Sequence, residues 1–132
     1  MWLWMQNIVE YLINTAKEFL LEAREAYRKR RFGIVCFLSH QAAELSLRAL
    51  IISNNGEVEY SENLLKYLEF LASKSIVIPD EIYAFAEALS HHFSTVKCIN
   101  NIVTQYSENQ ALRCIAYSEA ILSFVEKILR SK

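Results

Sequence analysis

The chain has 132 residues, 53% hydrophobic and 22% charged, with a net charge of −1. That length bounds it to one domain, residues 1–132, on the globular side of the disorder boundary. A near-neutral balance offers no bulk attraction for nucleic acid, and two glycines with one proline are too few for the frequent turns of a sheet protein.

The opening MWLWMQN is apolar but lacks the basic segment of a leader. No apolar run looks long enough to span a bilayer, so the chain is expected to be soluble and to make no membrane contact. Residues 5–31 predict the first helix, because Ile8, Leu12, Ala16, Phe19, Ala23 and Tyr27 recur at helical spacing. Lys17, Arg24, Arg28 and Arg31 fall in a narrow band away from that face, with Lys29 and Arg30 alongside. Such a band is either a solvated face paired to Glu18, Glu22 and Glu25 or a contact for phosphate or an acidic partner. Phe32-Gly33 is read as the break.

A second helix follows over 34–53, and "SNNG" at 53–56 stops it. Val35, Leu38, Ala42, Leu45, Ala49 and Ile52 line one side, while Cys36, Ala43, Leu47 and Leu50 line nearly the opposite one. A helix apolar on both sides belongs at the centre of a bundle. His40, Gln41, Glu44 and Arg48 share the remaining narrow sector, with Glu44 and Arg48 at i and i+4 in the favourable order. They form either a self-neutralised core seam or the polar floor of a ligand groove.

Ser61 is the expected cap of a third helix carrying Leu64, Leu68 and Leu71 on one face. Pro79-Asp80-Glu81 opens a fourth, with an apolar stripe from Ile82 to Val96 and a stop at Asn100-Asn101. His91 points away from that stripe and His92 lies on its shoulder. Neighbouring helical residues diverge by about 100° and do not converge on one ion, so no metal site is expected. The last helix, 108–130, has two apolar stripes, and so wide a face must pack against two neighbours or a partner chain. Cys36, Cys98 and Cys114 form no CxxC pair, which predicts buried thiols in a reducing cytoplasm and no disulfide. The fold class expected is all-α, an up-and-down bundle of about five helices.

The second helix also carries a family resemblance. Phe37 followed by LSHQAAELSLRAL keeps Gln41-Ala42-Ala43-Glu44, then Leu47, Arg48, Ala49 and Leu50. Ala16, Glu18 before Phe19, Ala23 and Phe32 fit the preceding helix and turn. This pattern resembles the HEPN domain, a small helical domain. Ser61-Glu62-Asn63-Leu64 and Thr104-Gln105-Tyr106-Ser107 depart from common family segments at their places. A ribonuclease subset of that family uses an arginine followed four to six residues later by a histidine. None of the seven arginines here precedes His40, His91 or His92 at that spacing.

The resemblance implies a binding module without a cofactor, homodimeric through an apolar helical face. It would act with a separately encoded minimal nucleotidyltransferase in a toxin–antitoxin type system, and contact nucleotide or RNA phosphate. Gln41, Glu44 and Arg48 are expected to line or support the groove, with Arg28 and Arg31 near its rim. One alternative is a metal-independent ribonuclease with His40 as acid/base and a first-helix arginine stabilising charge. Another is a purely structural helical dimer.

Overall fold

The most apolar helix sits at the centre. The computed structural model describes residues 3–99 and 106–132, arranged as α1 (Leu3–Arg28), α2 (Phe32–Ser53), α3 (Leu65–Ser73), α4 (Asp80–Ile99) and α5 (Glu108–Arg130). This is an all-α bundle in which α2 packs against each of the other four helices. Small residues allow the close approach: Ala42, Ala43 and Ala49 of α2 and Ala16 and Ala23 of α1 are fully buried. The two stripes of α5 are covered by α2 and α4, with α1 along the edge, so its wide apolar face is accounted for inside the chain.

Helix ends follow the local chemistry. After α1, the amide of Arg31 donates to Ala26 O and that of Arg30 to Tyr27 O, both at 2.9 Å, with Arg30 at φ 60°. After α2, Gly56 N donates to Ile51 O and Asn55 N to Ile52 O, with Asn55 at φ 58°. Both are Schellman closures, in which the left-handed residue turns the chain and satisfies the last carbonyls. The break expected at Phe32-Gly33 therefore falls two residues earlier, because the reversal is made at Arg30 and Phe32 already opens α2. Ser61 does not cap α3; its Oγ accepts from Asn63 N, and Asn63 Oδ1 takes the amide of Leu65. Ser107 and Gln110 form a reciprocal capping box that starts α5. The stop expected at Asn100-Asn101 and the side chains of Val96 and Cys98 lie outside the described residues.

Gly56 is required by its neighbours rather than by its backbone angle. A Cβ there would run into the Phe70 ring and crowd Ile51. Gly56→Ala is expected to lower stability by about 1–3 kcal/mol, read as a lower urea midpoint.

Two sequence expectations are corrected. Cys36 and Cys114 are joined as a disulfide, with Cα atoms 5.2 Å apart across α2 and α5. Helix packing brings together two residues that are 78 apart in sequence, a proximity no local motif announces. With that pairing, the cysteines give no reason to place the chain in a reducing compartment. The stretch Phe32–Ser53 is also long and apolar enough to cross a membrane, where no such run was expected. About two-thirds of it is buried inside the bundle, and it carries Glu44 and Arg48, so its hydrophobicity is that of a core helix.

Candidate functional site

One turn of α2 separates Glu44 from Arg48, and α3 supplies the third member of the group. The Arg48 Nε donates to Glu44 Oε2 at 2.9 Å, and the Tyr67 hydroxyl donates to the same oxygen at 2.9 Å. An Arg48 Nη2 contact at 3.0 Å and the amide of Ser61 at 3.0 Å both reach the Tyr67 oxygen as donors. Glu44 is only 4% exposed and Tyr67 is fully buried, so the carboxylate is held by charge and hydrogen bonds together. Burial by itself would pull the Arg48 guanidinium down, and Glu44 together with Tyr67 more than offsets it, leaving Arg48 above its ordinary value. Burial, with Glu44 beside it, raises Tyr67.

Arg48 also faces outward. It lines a groove of about 930 Å³ between the start of α1, the end of α2 and the segment after it. Trp4, Met5 and Ile8 form one wall, and Ile51, Ile52 and Val58 continue the apolar surface. Glu57 and Glu59 stand exposed on its rim. Three of the four residues of the polar seam therefore divide: Glu44 clamps, Arg48 reaches the groove, and Gln41 sits half-buried one turn away beside His40.

His40 has no exposed surface. Its Nε2 lies 2.8 Å from Glu62 O, its ring stacks on Phe93 with centroids 4.0 Å apart, and Nδ1 is 3.4 Å from Gln41 Oε1. Burial lowers its pKa despite the Glu62 carbonyl and Gln41. An imidazole enclosed in this way ties α2 to the loop before α3 and does not face a bound phosphate, the reverse of what the ribonuclease alternative requires. A lowered folded pKa means the unfolded chain binds the proton more readily. His40 therefore opposes unfolding fully above 6.5, its ordinary value, and that contribution falls as pH drops through 6.5 toward the folded value. Urea midpoints are expected to fall between pH 7 and pH 5 by more in wild type than in His40→Asn; equal slopes would contradict this assignment.

The basic cluster does not join the groove. Trp4 lines the groove at one end of α1 and Arg28 closes the other, about 36 Å away along the axis. Arg28 pairs with Glu25, while Lys17 reaches Glu126 at 3.0 Å, Arg24 pairs with Glu119 and Arg30 lies 3.6 Å from Glu108. Most of these cations thus bind α1 to α5 rather than to its own glutamates. Arg31 is exposed in the turn. Arg28 and Arg31 are therefore not rim residues of the groove at Arg48; a helix of 26 residues is too long for that.

A second hollow of about 700 Å³ is lined by Ser61, Glu62, Asn63, Glu87, Ser90 and His91. His92 is half-buried against Tyr106, whose hydroxyl donates to His92 O at 3.0 Å. Burial lowers the His92 pKa, with His91 and Arg113 acting in the same direction. Among the described residues no three His, Cys, Asp or Glu side chains are placed to hold a metal ion. Tyr67 is the site residue the sequence reading missed; it lies three residues after Leu64, on the same buried stripe.

Three comparisons bear on this geometry. A family model described as HEPN domain matches residues 9–128. TT1696 from Thermus thermophilus superposes with a TM-score of 0.81 at 21% identity, over 90% of this chain and 96% of that one. ST0689, an archaeal HEPN homologue, gives 0.77 at 25% identity, over 90% and 95%. An HEPN domain protein from Thermotoga maritima gives 0.76 at 24% identity, over 91% and 98%. At these identities the first and third likenesses show the fold alone. No curated protein matches the chain.

Proposed function

The chain belongs to the HEPN domain family, and from that premise we propose that it is a non-catalytic binding module that holds a nucleotide and partners a minimal nucleotidyltransferase in a toxin–antitoxin type system. The observation that carries the nucleotide reading is Arg48, clamped by Glu44 and Tyr67 yet lining an open groove walled by Trp4. A pre-oriented guanidinium suits one phosphate, an indole can stack on a base, and the rim carboxylates Glu57 and Glu59 can accept from ribose hydroxyls. The groove volume lies in the range of about 300–1,000 Å³ usual for small-molecule sites. The non-catalytic reading is supported by the missing arginine–histidine spacing and by the enclosure of His40.

Calorimetric titration with ATP tests the first half. Wild type is expected to bind, while Trp4→Ala and Arg48→Lys should each weaken binding about tenfold, the loss of one good contact. Equal affinity in all three, or no heat with wild type, would overturn the nucleotide reading. Co-expression with a minimal nucleotidyltransferase tests the second half, with stoichiometric co-purification expected.

A further inference from the structure

The groove at Arg48 differs in chemistry from one end to the other. Arg48 holds Glu44 through Nε and the Tyr67 oxygen through Nη2, so one side of the guanidinium is taken. Its Nη1–Nη2 end carries the remaining donors, one fork for one phosphate. Among the described residues lining the groove, Arg48 is the only cation, against the carboxylates Glu57 and Glu59. A single phosphate finds a partner there. Each further phosphate would bring negative charge toward two carboxylates with no second cation to meet it.

The segment after α2 sets the order of the other groups. Gly56 N is anchored on Ile51 O, near the end of α2, and Ser61 N on the Tyr67 hydroxyl beside Arg48. The chain between them runs back along α2, with Glu57 at the far end of the groove and Glu59 nearer the guanidinium. α1 packs along α2 after a short reversal, which brings Trp4 to the same far end as Asn55 and Gly56. Glu57 and Glu59 are exposed, and neither carboxylate is engaged by a hydrogen bond or ion pair within the chain. An indole and an open carboxylate thus stand where a base would lie once its phosphate is on Arg48.

Resting on the nucleotide reading of this groove, we infer that its preferred ligand is a guanine nucleoside monophosphate. The phosphate lies on Arg48, the ribose hydroxyls donate to Glu59, and the base stacks on Trp4 with its pairing edge on Glu57. A carboxylate only accepts, and it accepts best from two parallel donors. Guanine is the one common base whose pairing edge carries two adjacent donors, N1–H and the N2 amino group. Adenine offers one donor beside an acceptor, and that acceptor would face a carboxylate oxygen. Adenine nucleotides therefore still bind, through the indole and one phosphate, but without the contact at Glu57.

Calorimetric titration with GMP, AMP and GTP, in buffer free of divalent cations, tests the assignment. Wild type is expected to bind GMP about 10- to 100-fold tighter than AMP, the discrimination one bidentate pair provides. GTP should bind no tighter than GMP. Glu57→Gln is the sharper test, because an amide presents one acceptor and one donor, the match for adenine. The substitution should weaken GMP about tenfold or more and tighten AMP, reversing the order. Glu59→Gln should weaken both nucleotides by the same factor, since both carry the ribose. Both positions are exposed, so the urea midpoints of the variants should match wild type.

Equal binding of GMP and AMP by wild type would overturn the guanine assignment while the groove stays a nucleotide site. An order of preference unchanged by Glu57→Gln would do the same. GTP binding ten times tighter than GMP would overturn the single-phosphate assignment. No heat with any of the three would remove the nucleotide reading of the groove, and this inference with it.

Discussion

Glu44→Ala is expected to lower the unfolding free energy by about 3–5 kcal/mol, measured by urea titration at neutral pH. The size follows from what the carboxylate holds. Arg48 Nε and the Tyr67 hydroxyl both donate to Glu44 Oε2, and Tyr67 in turn accepts from Arg48 and from the Ser61 amide. Without Glu44 the guanidinium keeps its charge, with only 29% of its side chain exposed to water. The Tyr67 hydroxyl loses its acceptor in a fully buried position. Tyr67→Phe should cost less, about 1–3 kcal/mol, since it strands hydrogen-bonding groups but leaves the ion pair. Replacing the pair together, Glu44→Leu with Arg48→Met, should recover much of the loss, because neither charge is then left alone. A loss below about 1 kcal/mol for Glu44→Ala would put it among ordinary surface substitutions and contradict the clamp.

This group also shows how far the sequence could be read. Glu44 and Arg48 were legible because an acid and a base at i, i+4 on an otherwise apolar helix have little choice but to pair. Tyr67 was not, although a buried ion pair calls for further hydrogen-bond partners. Its hydroxyl comes from another helix, and no spacing within α3 distinguishes a tyrosine that meets a carboxylate from one that fills the core. The five helices were legible in the same way as the pair, through periodicity and end signals such as Pro79 and the SNNG stop. Boundaries moved where two local signals competed, as at Arg30 against Gly33. Groove membership depended on helix length and direction, which is why Arg28 and Arg31, close to the central helix in sequence, end far from Arg48. The Cys36–Cys114 pairing depended on the packing of two helices and had no local signal.

Reduction of that disulfide is expected to lower stability by about 4.5 kcal/mol if chain entropy dominates. The bond closes a 78-residue loop, and cross-linking so long a segment removes much of the freedom of the unfolded chain. Domains of this kind are stable by only about 5–15 kcal/mol, so the reduced protein would lose a third or more of its margin. The native fold should survive the loss, because the same seam is held by other contacts. Both cysteines are fully buried, and one turn on, Ser118 Oγ donates to Ser39 O at 2.7 Å between the same two helices. Burial also predicts the kinetics: a thiol reagent reaches the sulfurs only after the α2–α5 seam opens, so reduction should be slow in water and fast in moderate urea. Urea titrations with and without dithiothreitol check the energy, and peptide mass analysis of the oxidised protein checks the pairing. Cys36→Ser with Cys114→Ser should reproduce the reduced midpoint and be insensitive to dithiothreitol. Coincident midpoints with and without reductant, or free thiols at both positions in the oxidised protein, would mean that packing alone holds α2 to α5.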